Sequence, residues 1–286
     1  MKNIMKIEIY KALTNKFFIT TVSIAFFISL FNVLYMVGAY NDFRREMQEI
    51  ERLLGYETNP EVHAYALFNS WIGGEGKTLS FALFFFLLPL FATIPYGWSY
   101  FVELKSGYVK NVVTRVSKKD YFLSKYIAVF VSGGLAVAIP LALNFLIMAL
   151  VVPALTPDKS YIYYHLSQPN MWSGLYYTQP FLFVIGYLVI DFIFCGLIAT
   201  ISMALSFYVK NRFAIVILPF FLMLGLHYSR RFLYWIAYVE ISPLNFLHST
   251  PIENPAKGWI IVLEALVIFL LTFTVCMKRG IRDEVF

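Results

Sequence analysis

Six runs of apolar residues, each about as long as a bilayer is thick, decide what this chain can fold into. They lie at about 17–40, 79–101, 122–152, 180–209, 213–228 and 259–277. A hydrocarbon core of ~30 Å takes ~20 apolar residues as a helix, because within it every backbone N–H and C=O must be bonded inside the segment. A closed barrel would instead show ten-residue stretches of alternating polarity, and that pattern is absent. Charged residues make up only 14% of the 286 and hydrophobic ones 59%, against about a quarter charged in a soluble domain. The predicted fold class is all-α: one transmembrane domain over 1–286 with six spans. The first run is too long for a signal-peptide core and no small-residue cleavage site follows it, so it reads as a retained span. Cys195 and Cys276 sit at different depths of different spans and predict free thiols rather than a bridge.

Lysine and arginine near span ends set orientation. Fifteen of them fall on the side of both termini and of the loop after span 2, and eight on the other. The expectation is a multi-pass protein of a cell membrane with both termini in the cytoplasm. The formal net charge of +6 is thereby spent on topology, and no basic surface domain remains to bind nucleic acid.

Outside the spans, four segments stand out. Residues 1–16 place Met5, Ile9, Ala12 and Leu13 on one helical face with Lys2, Lys6 and Lys11 largely opposite, the pattern of a helix lying in the membrane interface. Residues 41–77 form the longest polar stretch; Phe43, Met47, Ile50, Leu53 and Leu54 recur at spacings of three and four and Gly55 follows, which predicts a short amphipathic external helix. Residues 153–179 are rich in tyrosine and proline and suit interfacial anchoring. Residues 229–258 are too polar for a span and too aromatic for an ordinary loop, so an external re-entrant or interfacial helical pair is expected there. Within span 3, Pro140 predicts a kink.

Chemistry-bearing residues are few. "GGEGKT" (73–78) resembles the end of a phosphate-binding loop, but the position that must be glycine is Trp71, and no strand precedes it. It is expected to be a flexible external turn, with Thr78 capping the next helix. Asp191 lies near the middle of span 4 and Glu264 about one and a half turns into span 6. A carboxylate at that depth costs roughly 2.5–3.5 kcal/mol on insertion scales, so each must face protein or water. Both are candidates for a translocation path, or for a single polar interhelical contact. The four histidines (His63, His165, His227, His248) lack the H-E-x-x-H spacing of a zinc protease, and no metal site or enzyme chemistry is predicted.

The most informative stretch is "FVELKSGYVKNVVTRVSKKDYFLSKY" (101–126), on the expected cytoplasmic side. A break at Gly107 precedes Val109, Val112, Val113 and Val116 at helical spacing, with Arg115 on a charged rim. Such a helix suits lipid or a groove on a partner. Here the chain resembles the permease subunits of type-2 ABC exporters. The resemblance lies in Glu103, the Ser106-Gly107 turn, the Val109–Val116 helix, Ser117-Lys118-Lys119 and Ser124-Lys125-Tyr126. The order of parts agrees too, from amphipathic N-terminus to "SPLNFL" (242–247) before the last span.

That resemblance implies a dimer of two permeases, identical or paralogous, each seated on a separate cytoplasmic ABC ATPase. The coupling loop 101–122 would dock on the ATPase through Glu103, Gly107, Val109, Val112, Val113, Arg115 and Val116. ATP and Mg would belong to that partner, and this chain would carry no cofactor. An ATPase domain needs upwards of ~50 residues of soluble fold, more than any stretch between the spans provides. By family analogy the protein would be bacterial and the cargo hydrophobic or amphipathic, such as an antimicrobial peptide. Two other readings stay open: an ATP-independent carrier or channel with Asp191 as its polar site, and a membrane protein that only binds a partner or peptide.

Overall fold

The computed structural model describes residues 2–59, 64–160, 164, 166, 170–233, 238–252 and 254–282. Every regular element among them is a helix: α1 (Lys2–Thr14), α2 (Lys16–Leu54), α3 (Leu67–Ser70), α4 (Leu79–Thr93), α5 (Ser99–Lys105), α6 (Tyr108–Val113), α7 (Lys118–Ala149), α8 (Ser173–Thr178), α9 (Pro180–Leu205), α10 (Arg212–Leu233), α11 (Pro243–Phe246) and α12 (Gly258–Arg282). Five of them, α2, α7, α9, α10 and α12, are long and apolar enough to cross a membrane. This is the architecture of a polytopic membrane protein.

The expected second span is not one helix. α4 has 15 residues, about 22 Å at 1.5 Å per residue, which is short of a hydrocarbon core. Pro95 follows its C-cap, Ile94, and offers no N–H to extend the ladder. The chain turns through 94–98 and resumes as α5.

The first span, by contrast, overshoots. α2 runs unbroken for 39 residues, so the amphipathic segment after residue 40 is its continuation and not a separate helix. It ends where Gly55 adopts the left-handed conformation (φ 73°) and donates its N–H to Glu51 O at 2.9 Å. The expected pair at 229–258 also differs. α10 extends to Leu233, and the one helix among the described residues between it and α12 is the single turn α11; residues 234–237 and 253 lie outside the description.

α7 and α9 form the centre of the bundle. They approach so closely that a Cβ at Gly133 would lie 2.4 Å from Ala199 Cβ and 2.9 Å from the Cys195 carbonyl oxygen. Small residues at helix crossings permit this where lipid removes the hydrophobic drive to associate. Two apolar clusters result. The larger fills the middle and one end of the bundle, around Phe84, Leu88, Phe183 and Ile198. The smaller joins Ile4, Val109, Tyr121 and Cys276 at the end where α1 and the close of α12 lie, hereafter the basal end. Cys195 and Cys276 are free, buried and in separate clusters, as their depths predict.

At the opposite end the "GGEGKT" stretch is no flexible turn. Trp71 and Ile72 are buried, and the Ile72 N–H donates to Asn144 Oδ1 at 2.9 Å. The Asn144 amide donates to Asn32 Oδ1 and to the Ser29 carbonyl. Asn32 donates in turn to Glu75 Oε1 at 3.1 Å. Thr78 caps α4 as expected, accepting from Phe81 N at 3.1 Å. The segment therefore seals the bundle through polar ties to α2 and α7.

Candidate functional site at the basal end

α1 turns inward a face that shares only Ala12 with the one its apolar periodicity predicts. Ile4, Glu8 and Ala12 are buried, whereas Met5, Ile9 and Leu13 are half-buried. One turn along a helix returns to the same face, so positions 4, 8 and 12 form one stripe, and this stripe packs on α7. A carboxylate can occupy its centre because its charge is met inside.

Lys125, on the first turns of α7, is fully buried. Its Nζ lies 2.8 Å from Glu8 Oε2 and 2.8 Å from Glu103 Oε2 on α5. Lys11 bridges the same two acids, at 2.9 Å to Glu8 and 2.5 Å to Glu103. Two hydroxyls complete the set. Tyr96, in the turn after α4, donates to Glu8 at 2.9 Å and accepts from Lys125 at 3.0 Å. Tyr121 donates to Glu103 at 2.6 Å. Two cations and two anions cancel, and the hydroxyls supply further partners, which is the condition under which buried charges are tolerated.

The charges set each other's protonation. Burial would raise the Glu8 carboxyl, but Lys125 and Lys11 outweigh it and hold the acid below the ordinary carboxylate range. Burial would lower the Lys11 ammonium, but Glu103 and Glu8 hold it above the ordinary lysine range. These ion pairs and hydroxyl contacts pin α1, α5 and the 94–98 turn to α7.

The predicted coupling residues divide into two groups around this network. Glu103 faces inward and is consumed by it, its side chain 12% exposed. Gly107 takes φ 75° and opens α6 in the left-handed conformation that glycine adopts at no cost. Val109 is fully buried, and Val112, Val113 and Val116 are half-buried at the edge of the cluster that also holds Ile4 and Ile9 of α1. The apolar face of α6 is therefore closed at Val109 and left partly open at Val112 and Val116, which line the groove beside α1. Arg115 is exposed, together with Lys110, Asn111 and Thr114. Between α1 and α6 an open groove of about 650 Å³ is lined by Ile7, Tyr108, Asn111 and Arg115 among others.

Asp191 and Glu264 are not brought together. Asp191 is buried on α9 on the face shared by Tyr187 and Cys195, and its Oδ1 has no hydrogen-bond partner. Glu264 has Glu240 as its acidic neighbour, and its Oε1 is likewise unpartnered. Glu240 itself accepts from Arg230 at 3.2 Å and from Asn245 at 3.0 Å. His227 and His248 lie with them at the end opposite the basal network; His63 and His165 fall outside the described residues. Among the described residues no group of three or more acidic, histidine or cysteine side chains could hold a metal ion.

Three residues of the network, Glu8, Tyr96 and Tyr121, escape the sequence reading, and Lys125 enters it only as part of the resemblance, without its buried ion pairs. A signal existed: Glu8 is the lone acid of a basic helix, and Lys125 is a lone cation inside an apolar run. Each makes sense only with the other. A scan of protein-family models, of curated proteins and of solved structures finds no match to this chain.

Proposed function

We propose that the chain is the membrane-spanning permease subunit of an ATP-driven ABC exporter. In this reading the basal end faces the cytoplasm, and α4 with α5 makes the sixth crossing, bent at Pro95. Residues 229–258 lie outside. A separate ATPase, which binds ATP and Mg, docks on α6 and the exposed side of α1. A second permease copy or a paralogue completes the path, and the cargo is hydrophobic or amphipathic.

One observation carries the proposal. A short helix with a polar rim, α6, hangs from α5 through one left-handed glycine, and α5 is wired by buried charges to a long spanning helix. A push on α6 has a stiff route into α7, because a packed interior with satisfied charges transmits displacement rather than absorbing it. A carrier working without ATP has no use for such a part.

The test is affinity purification of the tagged chain from its native membranes. An ATPase subunit with a phosphate-binding loop is expected to co-elute, and K110E/R115E is expected to lose it while remaining folded. A folded chain that recovers no ATPase would contradict the proposal.

A further inference from the structure

Two cations at the basal end converge on one ring. Lys16 opens α2 and Arg212 opens α10. Lys16 Nζ lies 5.5 Å from the centre of the Phe17 ring and Arg212 Cζ lies 4.9 Å from it. Arg212 also stacks on Trp98 at 3.6 Å. Among the described residues neither cation has an acidic partner or a hydrogen-bond acceptor. Stacking occupies the faces of a guanidinium and leaves its edge N–H donors free for an anion.

Beside them runs a groove of about 200 Å³ between α2 and α4, walled by Phe17, Ile24, Phe91 and Ile94, with Lys16 at its mouth. The Thr93 hydroxyl donates to the Val216 carbonyl at 3.1 Å, which holds the start of α10 against the end of α4 and keeps Arg212 in place. The result is a pair of unpaired cations beside an apolar slot, and the slot runs between the long span α2 and the shorter apolar helix α4.

We propose that this is a binding site for an anionic phospholipid of the leaflet at the basal end. Its phosphate sits against Lys16 and Arg212 and one acyl chain lies in the α2–α4 groove. Charge complementarity selects the occupant. A zwitterionic lipid brings an ammonium that two cations repel, and a free phosphate leaves the groove unfilled. The site does not depend on the exporter reading.

Native mass spectrometry of the detergent-purified chain titrated with phosphatidylglycerol or phosphatidylcholine tests it. The wild type is expected to retain one phosphatidylglycerol under conditions that strip phosphatidylcholine, and K16Q/R212Q to hold it about thirtyfold more weakly. I24W fills the groove without touching charge and is expected to lose the same lipid. K6Q/K278Q removes equal charge from exposed positions at the same end and is expected to keep it. Equal retention by K16Q/R212Q and K6Q/K278Q would overturn the proposal, as would equal binding of phosphatidylcholine. Displacement by inorganic phosphate with I24W unaffected would also overturn it, by assigning the cations to a free anion.

Discussion

Lys125 Nζ lies 2.8 Å from Glu8 Oε2, joining α7 to a helix 117 positions earlier in the chain. Neither group is tolerable alone. A fully buried ammonium without a counter-ion costs several kcal/mol, and so does a carboxylate in the same place.

That mutual dependence sets the first prediction. Lys125→Met leaves Glu8 and Glu103 facing each other with only Lys11 between them and is expected to cost about 3–5 kcal/mol. Adding Glu8→Gln removes one of the stranded charges and is expected to recover part of the loss. Thermal unfolding of the detergent-solubilised single and double variants reads the coupling, and strictly additive losses would dissolve the pairing.

Acid and alkali act on different members. Glu8 titrates below its ordinary value of 4.5 in the folded chain. Its contribution is therefore complete above pH 4.5 and is lost as pH falls through the folded value. Lys11 is held above its ordinary 10.5, so its share is complete below pH 10.5 and disappears as pH rises further. His248, half-buried and packed against Phe81 and Phe85, is pushed down to about 4 by desolvation first and by His227 second. The folded chain keeps it neutral, which removes stability as pH falls from 6.5 towards 4, by ~3 kcal/mol at most. His248→Phe is expected to flatten that limb, while Glu8→Gln flattens the loss that begins as pH falls below 4.5; melting temperature against pH separates the two.

On α6, buried and exposed positions are expected to fail differently. Val109→Ala opens a cavity beneath the helix and costs ~2 kcal/mol. Arg115→Glu touches nothing buried and stays within about 0.5 kcal/mol of the parent, yet it is the variant expected to abolish partner recovery. Melting temperature and co-purified ATPase, measured on both proteins, would show the reverse ranking if α6 were merely structural.

At the opposite end Asn144 is the centre of the tie between α2, α7 and the "GGEGKT" segment. Asn144→Leu strands the Ile72 N–H and the Asn32 amide oxygen and is expected to cost about 2–4 kcal/mol. Proteolysis near residues 71–78 should rise in step, since that segment loses its hold on α7.

The legible parts of this molecule are those fixed by local chemistry. Five of the six long apolar runs became long helices, Gly55 ended α2, and Thr78 capped α4. What was not legible depends on partners distant in sequence. The apolar pattern of α1 pointed to Met5, Ile9, Ala12 and Leu13; Ala12 is buried as expected, but the rest of the stripe is rotated towards Ile4 and Glu8, because Lys125 and Tyr96 wait there. Lys125 itself reads as one more positive charge beside a span until its burial is seen. The break in span 2 was foreshadowed by Pro95, which the strength of the surrounding apolar run concealed. The helix expected over Val109–Val116 is shorter, ending at Val113 with Val116 beyond it, and of its valines only Val109 is fully buried.

The central claim is that an ATPase subunit seats on the groove between α1 and α6. A photoreactive amino acid at Tyr108 or Asn111, both on that groove, tests it in intact membranes. Irradiation is expected to join the chain to a subunit that carries a phosphate-binding loop, identified by mass spectrometry, while the same probe at Leu263 on the exposed flank of α12 gives no such adduct. Adducts from Leu263 alone, or none with an ATPase from either groove position in a folded chain, would contradict the account.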